Sequence, residues 1–298
     1  MILLRPTLRE AFVCQEIRMQ KVGLIAGAGP LPIEIAQNCE ASGIGIFMSR
    51  ITGISDAKAA QFSGDEHELG HFGARMAGLK AANIETIAFV GKIERPDFGE
   101  LKMDSVGNAM LPKLAAAAGD DAVMRVILGE FAGAGFNIIG PDELQSSLLA
   151  PLGQLGEAAP NAAHLADIAI AAQVASEIGR LDIGQGCVVC GGVVLAVEAQ
   201  EGTDEMLRRV AKLPVEVRGT LQNPAGVLCK RPKPIQEMRI DLPVIGLATL
   251  DNAIAACLAG IAVQAGGALI AQREQLIAKA NAAKIFIYGF DASLGSKG

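Results

Sequence analysis

The stretch V-G-L-I-A-G-A-G-P-L-P-I-E-I-A-Q-N-C-E-A-S, residues 22–42, decides the fold class. Its first part, residues 22–26, is a short apolar run that ends at glycines, which is typical of a buried strand. A helical pattern follows over residues 31–42, and the glycine-rich loop between them leads to a helix N-terminus that can receive an anion. A strand, a tight loop and a helix in this order predict a parallel sheet covered by helices on both faces.

The same alternation continues along the chain. In the first half we predict strands at residues 44–49, 86–90 and 136–139, and helices at 66–81, 105–118 and 120–132. In the second half we predict helices at 161–179, 203–212, 249–259 and 273–283, a hairpin of 186–190 with 193–197, and strands at 226–229, near 261 and 268, and at 285–288. This pattern indicates an α/β fold: a Rossmann-like parallel-sheet domain followed by a C-terminal α/β domain.

Domain limits follow from composition. Residues 150–160, A-P-L-G-Q-L-G-E-A-A-P, carry proline and glycine near both ends and are predicted to be a linker. We therefore place the Rossmann-like domain at residues 19–149 and the C-terminal domain, which we expect to be catalytic, at residues 161–298. Residues 1–18 contain several charges and lack an unbroken apolar core, so we interpret them as an N-terminal extension and not as a signal peptide.

The composition excludes several classes of protein. The chain has 298 residues and a net charge of −6, which argues against a nucleic-acid-binding protein. Six cysteines in a chain of this length do not form a disulfide scaffold, and without a secretory signal they are typical of reduced thiols in a cytoplasmic protein. Residues 252–272 lack charges and are long enough to span a bilayer, but Asn252, Gln264 and several glycines lead us to reject a transmembrane helix.

Three short motifs resemble known functional patterns, but their context argues against those functions. His67-Glu68-Leu69-Gly70-His71 matches the zinc-protease pattern, but both histidines would lie across the predicted helix from its apolar stripe. Cys187 and Cys190 form a C-x-x-C within a predicted strand, where their side chains point to opposite faces, so we expect core thiols. The G-A-G of residues 27–29 lacks the third glycine and the later acidic residue of a dinucleotide fingerprint, so we expect a loop of backbone amides near a ligand.

A basic segment stands out in the second half. Residues 229–246, C-K-R-P-K-P-I-Q-E-M-R-I-D-L-P-V-I-G, gather four cations around Asp241, and three prolines prevent a continuous helix or central strand. The cations are suited to phosphate oxygens, and the carboxylate is suited to a metal ion or a water molecule. The segment by itself is also compatible with a solvated basic loop.

Motifs along the chain resemble those of the LpxI-type UDP-2,3-diacylglucosamine pyrophosphatases of lipid A biosynthesis. The resemblance extends from residue 19 over nearly the whole chain. It is carried, in chain order, by G-A-G-P-L-P at residues 27–32, G-K at 91–92 with R-P at 95–96, G-D-D at 119–121, E-G-T-D at 201–204, R-I-D-L-P-V-I-G at 239–246, and G-I-A-V at 260–263 with A-G-G at 265–267.

This resemblance implies hydrolysis of the pyrophosphate bond of UDP-2,3-diacylglucosamine to UMP and 2,3-diacylglucosamine 1-phosphate (lipid X). It implies a divalent cation, Mg²⁺ or another, and attack by water on the β-phosphorus in a cleft between the domains. The catalytic residues would be Asp241, Arg239, Lys233 and Lys230, and the metal ligands would be Asp241, Asp204 and Glu201. Substrate would be bound by Gly27, Gly29, Gly91, Lys92, Gly202, Thr203, Gly266 and Gly267.

The segment departs from the resemblance at three positions. Ile235 stands where a glycine is expected, Glu237 where an aspartate is expected, and Leu247 where a proline is usual. The first departure leaves open the backbone conformation of the segment and the individual roles of Lys230 and Lys233.

The resemblance also implies binding partners, and two alternative functions stay open. The expected partners are the lipid substrate and product, with peripheral contact at the cytoplasmic face of the inner membrane, and a homodimer is open. One alternative function is an NADP-dependent oxidoreductase, based on the Gly27 loop and Arg50. Another is a non-catalytic sensor of nucleotide sugars or lipids.

Overall fold

The computed structural model describes residues 20–117, 119–234 and 242–295. Within these ranges the chain forms a five-stranded sheet, a six-stranded sheet and a two-stranded sheet. The five-stranded sheet uses residues from the first half of the chain, and the other two sheets use residues from the second half.

The first sheet is parallel throughout. Its strands are β1 (Lys21–Ala26), β2 (Gly45–Ile51), β3 (Gly64–His67), β4 (Thr86–Val90) and β5 (Asn137–Ile139), in the spatial order β3-β2-β1-β4-β5. Its helices are α1 (Leu31–Ala41), α2 (Phe72–Ala81), α3 (Ser105–Ala116), α4 (Asp120–Gly133) and the short α5 (Pro141–Leu144).

Alternate residues of β1 supply two different cores. Val22 and Leu24 lie in one hydrophobic cluster with residues of α1, and Ile25 lies in another with residues of α2, α3 and α4. Successive side chains of a strand point to opposite faces, so these clusters show that helices cover both faces of the sheet. The predicted Rossmann-like parallel-sheet domain is confirmed.

The second sheet is mixed. Its strands are β6 (Gly153–Leu155), β7 (Gly186–Cys190), β8 (Val193–Val197), β9 (Val227–Lys230), β11 (Gly260–Gln264) and β13 (Phe286–Phe290), in the spatial order β6-β13-β11-β9-β7-β8. The three central strands β13, β11 and β9 are parallel, while β6 and β7 run antiparallel to their central neighbours. The helices are α6 (Ala162–Arg180), α7 (Gly202–Ala211), α8 (Leu247–Ala255) and α9 (Arg273–Ala283). The predicted second α/β domain is confirmed.

The two-stranded sheet links the two cores. Its strands are β10 (Val244–Ile245) and β12 (Leu269–Ile270), which run parallel. Leu269, together with Leu242 just before β10, is buried in the cluster that contains α1, and Val244 packs against that cluster. Ile245 and Ile270 are buried in the cluster of α7, α8 and α9. The alternation of a strand therefore places one side of this sheet in each domain core.

One predicted helix is wrong in its first part. Residues 66–81 were expected to be helical, but they contain the end of β3, and α2 begins only at Phe72. Glu66 and His67 pair with Arg50 and Ile51 of β2 instead. The chain also turns close to Gly70, where an added Cβ atom would lie 2.5 Å from the carbonyl oxygen of Lys102. The helical spacing of apolar residues, three and four apart, therefore corresponds to a helix only within α2. Residues 64–67 form a strand because they pair with β2.

Residues 150–160 do more than connect the domains. They include β6, which pairs antiparallel with β13, and Leu155 is buried in the second core. The predicted linker therefore contributes a strand to the second sheet, because residues 153–155 pair with the edge of β13.

Other expectations agree with the structure. No helix among the described residues is long and apolar enough to cross a membrane, and residues 252–272 contain the end of α8 followed by β11 and β12. Cys187 is a free, buried thiol opposite Cys229 in the sheet, and burial raises its pKa to about 12. Cys190 is partly buried and also free. The C-x-x-C is therefore a feature of strand packing.

Gly289 tests the pairing of β6 with β13. A Cβ atom added there would lie 1.8 Å from the carbonyl oxygen of Pro151, which is backbone and cannot easily move. We expect Gly289→Ala to lower the free energy of unfolding by about 1–3 kcal/mol. Gly129 of α4 is the control, because its added Cβ atom would meet nothing within 4 Å and alanine favours a helix by about 0.5–1 kcal/mol. Urea unfolding of both variants measures the difference, and equal effects would contradict this view of the strand.

Candidate active site

The first predicted loop joins β1 to β4 through its backbone. The amide of Gly27 donates to the carbonyl of Val90 (2.7 Å), and Ala28 and Lys92 exchange two hydrogen bonds (2.8 and 3.0 Å). An added Cβ atom at Gly27 would lie 2.7 Å from the Lys92 carbonyl oxygen and 2.8 Å from the carbonyl carbon of Gly91. Gly27 and Gly91 are therefore required by the close approach of two chain segments at the carboxyl ends of neighbouring strands.

This loop offers fewer free amides than the sequence suggested. Gly27 and Ala28 donate within the backbone, and Pro30 and Pro32 have no N–H. Among residues 27–32 of the described chain, only Gly29 and Leu31 keep amides without a hydrogen-bond partner. The expected cradle for an anion is thus small, and side chains must supply most of the binding to a ligand at this place.

A cleft of about 460 Å³ lies beside the loop, at the carboxyl ends of the first sheet's strands. Its lining comes from the first domain, and its charged side chains are Glu68, Lys92, Glu94 and Lys102. Lys92 is exposed and pairs with Glu94 at 3.1 Å. In open α/β sheets this edge, where the strand order reverses between β1 and β4, is the usual place for a ligand.

The described cations of the basic segment have three different surroundings. Lys230 ends β9 and is buried, and its Nζ donates to the hydroxyl of Thr203 at 2.7 Å and to the carbonyl of Val244 at 3.4 Å. Lys233 pairs with Asp182 at 2.7 Å. Arg231 is buried and donates to the carbonyl oxygens of Ala172, Ala292 and Leu294. Arg231 therefore holds the fold together, while Lys230 and Lys233 are held by side chains.

Asp182 also connects the basic segment to the first domain. A Cβ atom at Gly119, which precedes α4, would lie 1.9 Å from Oδ2 of Asp182. On the other side of the segment, Leu242 is buried against the first domain. Lys233 and Leu242, the described residues near residues 235–241, are therefore both linked to the first domain.

The two residues predicted to matter most, Arg239 and Asp241, lie outside the described residues. Their predicted roles stay predictions.

The other predicted metal ligands already have partners. Oδ1 of Asp204 accepts a hydrogen bond from Asn252 at 3.1 Å, and Glu201 pairs with Arg209 at 2.7 Å. Within residues 20–117, 119–234 and 242–295, no group of three or more His, Cys, Asp and Glu side chains can hold a metal ion.

The remaining predicted residues lie at turns around the basic segment. Thr203 lies in the first turn of α7, which begins at Gly202, and its hydroxyl donates to Glu198. Gly266 donates its amide to the carbonyl of Ala150 at 2.9 Å, and a Cβ atom at Gly267 would lie 3.1 Å from Cγ of Pro232 in the basic segment. The structure thus brings Thr203 and Gly267 to the basic segment.

The zinc-protease pattern at residues 67–71 and Arg50 both make structural contacts. His67 lies in β3 and bonds Asp65 at 2.9 Å, while His71 precedes α2, so the two histidines do not share one helix face as a zinc protease requires. Arg50, on which the NADP interpretation depended, donates to the carbonyl of Phe62 and pairs with Glu66 at 3.5 Å.

Sequence reasoning missed two residues of this region. Glu198 was not selected because it follows β8 as an ordinary acid, and Asp182 was not selected because it lies in a turn far from the basic segment in sequence. Asp182 becomes notable only through its ion pair with Lys233, and Glu198 only through Thr203, which accepts a hydrogen bond from Lys230. No pattern in the sequence indicates those contacts.

The fold and site define a two-domain α/β protein with a ligand cleft in a Rossmann-like domain and a basic segment at the domain junction. Models of the LpxI N-terminal and C-terminal domains match residues 21–148 and 151–288. The UDP-2,3-diacylglucosamine pyrophosphatase LpxI of Caulobacter vibrioides is 48% identical over 275 residues, covering 92% of this chain and 98% of that protein. The chain belongs to the LpxI family.

Among solved structures, a protein assigned as an NAD-dependent epimerase/dehydratase from Methylobacillus flagellatus matches 47% of this chain and 41% of its own. The TM-score is 0.24 and the sequence identity is 14%, so this likeness carries no argument about function.

The contact between Gly119 and Asp182 can be tested with a double-mutant cycle. We expect Gly119→Ala to lower the free energy of unfolding by about 1–3 kcal/mol, because the new Cβ atom meets the Asp182 carboxylate. In an Asp182→Ala background the cost should fall to that of Gly135→Ala, about 1 kcal/mol, since Gly135 also has a positive φ but open space around it. Chemical denaturation measures the four proteins of the cycle and the Gly135→Ala control, and an undiminished cost of Gly119→Ala in the Asp182→Ala background would contradict the contact.

Proposed function

We propose that the protein hydrolyses the pyrophosphate bond of UDP-2,3-diacylglucosamine, releasing UMP and 2,3-diacylglucosamine 1-phosphate (lipid X). One observation carries this proposal. The Caulobacter pyrophosphatase is 48% identical to the chain over 98% of its own length, so both domains and the segment between them are shared. The protein would then be a pyrophosphatase of lipid A biosynthesis.

The charge distribution of the site supports this reaction. Cleavage of a pyrophosphate needs positive charge around the bridging and outer phosphate oxygens and a well-placed water, with little covalent work for the protein. The basic segment brings Lys230, Lys233 and Arg239 together in a chain that is acidic as a whole. This local excess of positive charge suits a diphosphate.

We propose attack by water on the β-phosphorus, with Asp241 as the essential carboxylate. Asp241 would orient the water or hold a metal ion, and Arg239 would bind phosphate oxygens. The ion pair of Lys233 with Asp182 implies that Lys233 must exchange this partner, or share it, when a phosphate group arrives. Lys230 needs no such exchange, because its partner is a neutral hydroxyl.

Mg²⁺ dependence is also part of the proposal. The described residues lack a three-ligand site, and Asp204 and Glu201 are already bound by Asn252 and Arg209. Proteins often hold Mg²⁺ by one or two carboxylates together with substrate phosphates. In this proposal Asp241 would hold the ion, with Asp204 and Glu201 as further ligands.

The first domain would bind the substrate through its cleft. Gly29 and Lys92 border the free side of the loop, while Gly27 and Gly91 act by letting the two backbones approach. Gly202, Gly266 and Gly267 would border the site from the second domain. A substrate with two acyl chains also implies peripheral contact with the cytoplasmic face of the inner membrane, and a homodimer stays open.

The test is hydrolysis of purified UDP-2,3-diacylglucosamine, followed through release of UMP and lipid X. We expect release by the wild type with Mg²⁺, loss of release after chelation, and a decrease of about 10²–10⁴-fold in kcat for Asp241→Ala. Asp251→Ala is the control, because Asp251 is an exposed acid of α8 that pairs with Lys279, and its activity should equal that of the wild type.

Other outcomes point to other functions. Tight binding of the substrate without release of UMP would favour a sensor, and absorption by a bound nicotinamide cofactor would favour an oxidoreductase. Full activity of Asp241→Ala would show that Asp241 is wrongly assigned even if the reaction is correct.

A further inference from the structure

Three buried polar side chains form a continuous hydrogen-bonded chain beside the basic segment. Nζ of Lys230 donates to Oγ1 of Thr203 at 2.7 Å, and Oγ1 of Thr203 donates to Oε1 of Glu198 at 2.7 Å. The three residues are only 5%, 9% and 6% exposed, respectively. They come from three elements: the end of β9, the first turn of α7 and the residue after β8.

The direction of the two hydrogen bonds is set by chemistry. A charged lysine has three N–H donors and no acceptor, so the hydroxyl of Thr203 must accept from it. The single hydroxyl hydrogen is then left for Glu198, which as a carboxylate can only accept. Glu198 therefore keeps the hydroxyl turned so that its lone pairs face Lys230.

The surroundings of Glu198 are energetically unfavourable for a carboxylate that has only a structural role. Its second oxygen, Oε2, is buried and has no hydrogen-bond partner among the described residues. The carboxylate lies against Gly186 of β7, where an added Cβ atom would be 2.6 Å from Oε2. A buried carboxylate with one hydrogen bond is unfavourable unless a positive charge lies near it. Lys230, reached through Thr203, supplies that charge.

A comparison within the same domain shows what a structural carboxylate looks like. Asp167 of α6 is 4% exposed, and its two oxygens accept from the amides of Gly191 and Gly192 at 3.0 and 2.7 Å. Both of its oxygens are satisfied by backbone, and it fixes the turn between β7 and β8. Glu198 differs, because one of its oxygens accepts from the Thr203 side chain, which in turn accepts from Lys230, and the other oxygen has no partner among the described residues.

The position of Lys230 indicates what the arrangement serves. Its ammonium group lies by the carbonyl of Val244, close in the chain to residues 235–241, which carry Arg239 and Asp241. Among the described residues Lys230 uses two acceptors, at 2.7 and 3.4 Å, and the second bond is long. Lys230 therefore has at least one N–H group without an acceptor among the described residues.

We propose that Glu198 is a positioning residue for the pyrophosphatase reaction. Acting through the hydroxyl of Thr203, it holds the ammonium group of Lys230 oriented toward the diphosphate of the substrate. The proposal rests on the proposed function in that the ligand of Lys230 is taken to be a nucleoside diphosphate group.

Two measurements on the full chain test it: the Kd of UDP with Mg²⁺ by calorimetry, and kcat/KM for hydrolysis of UDP-2,3-diacylglucosamine. Glu198→Gln keeps the size of the side chain and removes its charge, and Thr203→Val keeps the shape and removes the hydroxyl. We expect each to lower kcat/KM by about 10- to 100-fold and to raise the Kd of UDP by about tenfold, because a hydrogen bond to a charged group is lost or misdirected.

Two further variants separate positioning from folding. Thr203→Ser keeps the hydroxyl and should restore both quantities to within about threefold of the wild type, while remaining sensitive to packing. Asp167→Asn disturbs another buried carboxylate of the same domain, and it should lower the thermal unfolding midpoint without changing kcat/KM or the Kd of UDP.

The proposal is overturned if Glu198→Gln and Thr203→Val behave like Asp167→Asn, with lower stability and unchanged kinetics and UDP binding. A wild type that does not hydrolyse the lipid substrate would refute the proposed function instead. In that case the UDP titrations still decide, since unchanged UDP binding by both variants would refute the role of Glu198 on its own.

Discussion

The small sheet of β10 and β12 is the packing interaction on which the arrangement of this protein depends. Its strands are only two residues long, yet successive side chains enter different cores, so that Leu269 lies with the first domain and Ile270 with the second. Burial of apolar side chains on both faces of β10 and β12 makes the domain junction part of the folded interior.

This junction explains where the basic segment is held. Leu242 is buried against the first domain immediately before β10, and Lys233 is paired with Asp182, which lies against Gly119 of the first domain. The described residues on either side of 235–241 therefore contact the first domain, directly in the case of Leu242 and through Asp182 in the case of Lys233.

The described cations of the segment differ in their partners. Arg231 donates to three backbone carbonyls from distant parts of the chain and joins them. Lys233 and Lys230 instead contact side chains, one a carboxylate directly and the other a carboxylate through a hydroxyl. A direct ion pair must be exchanged before a phosphate can bind, whereas the relay through Thr203 leaves the charge of Lys230 in place. The same residue types four positions or fewer apart thus acquire different chemistry.

The sequence alone determined the α/β class, the positions of most strands and helices, and the location of the basic segment, because strand and helix periodicities and proline restrictions are local properties. It also contained the motifs of the LpxI family. Tertiary structure alone decided that residues 64–67 form a strand, that β6 joins the second sheet, and that Gly27 serves backbone approach more than anion binding. It also decided the partners of Lys230 and Lys233. These outcomes depend on contacts between residues far apart in the chain, and sequence spacing carries no record of which distant groups will meet.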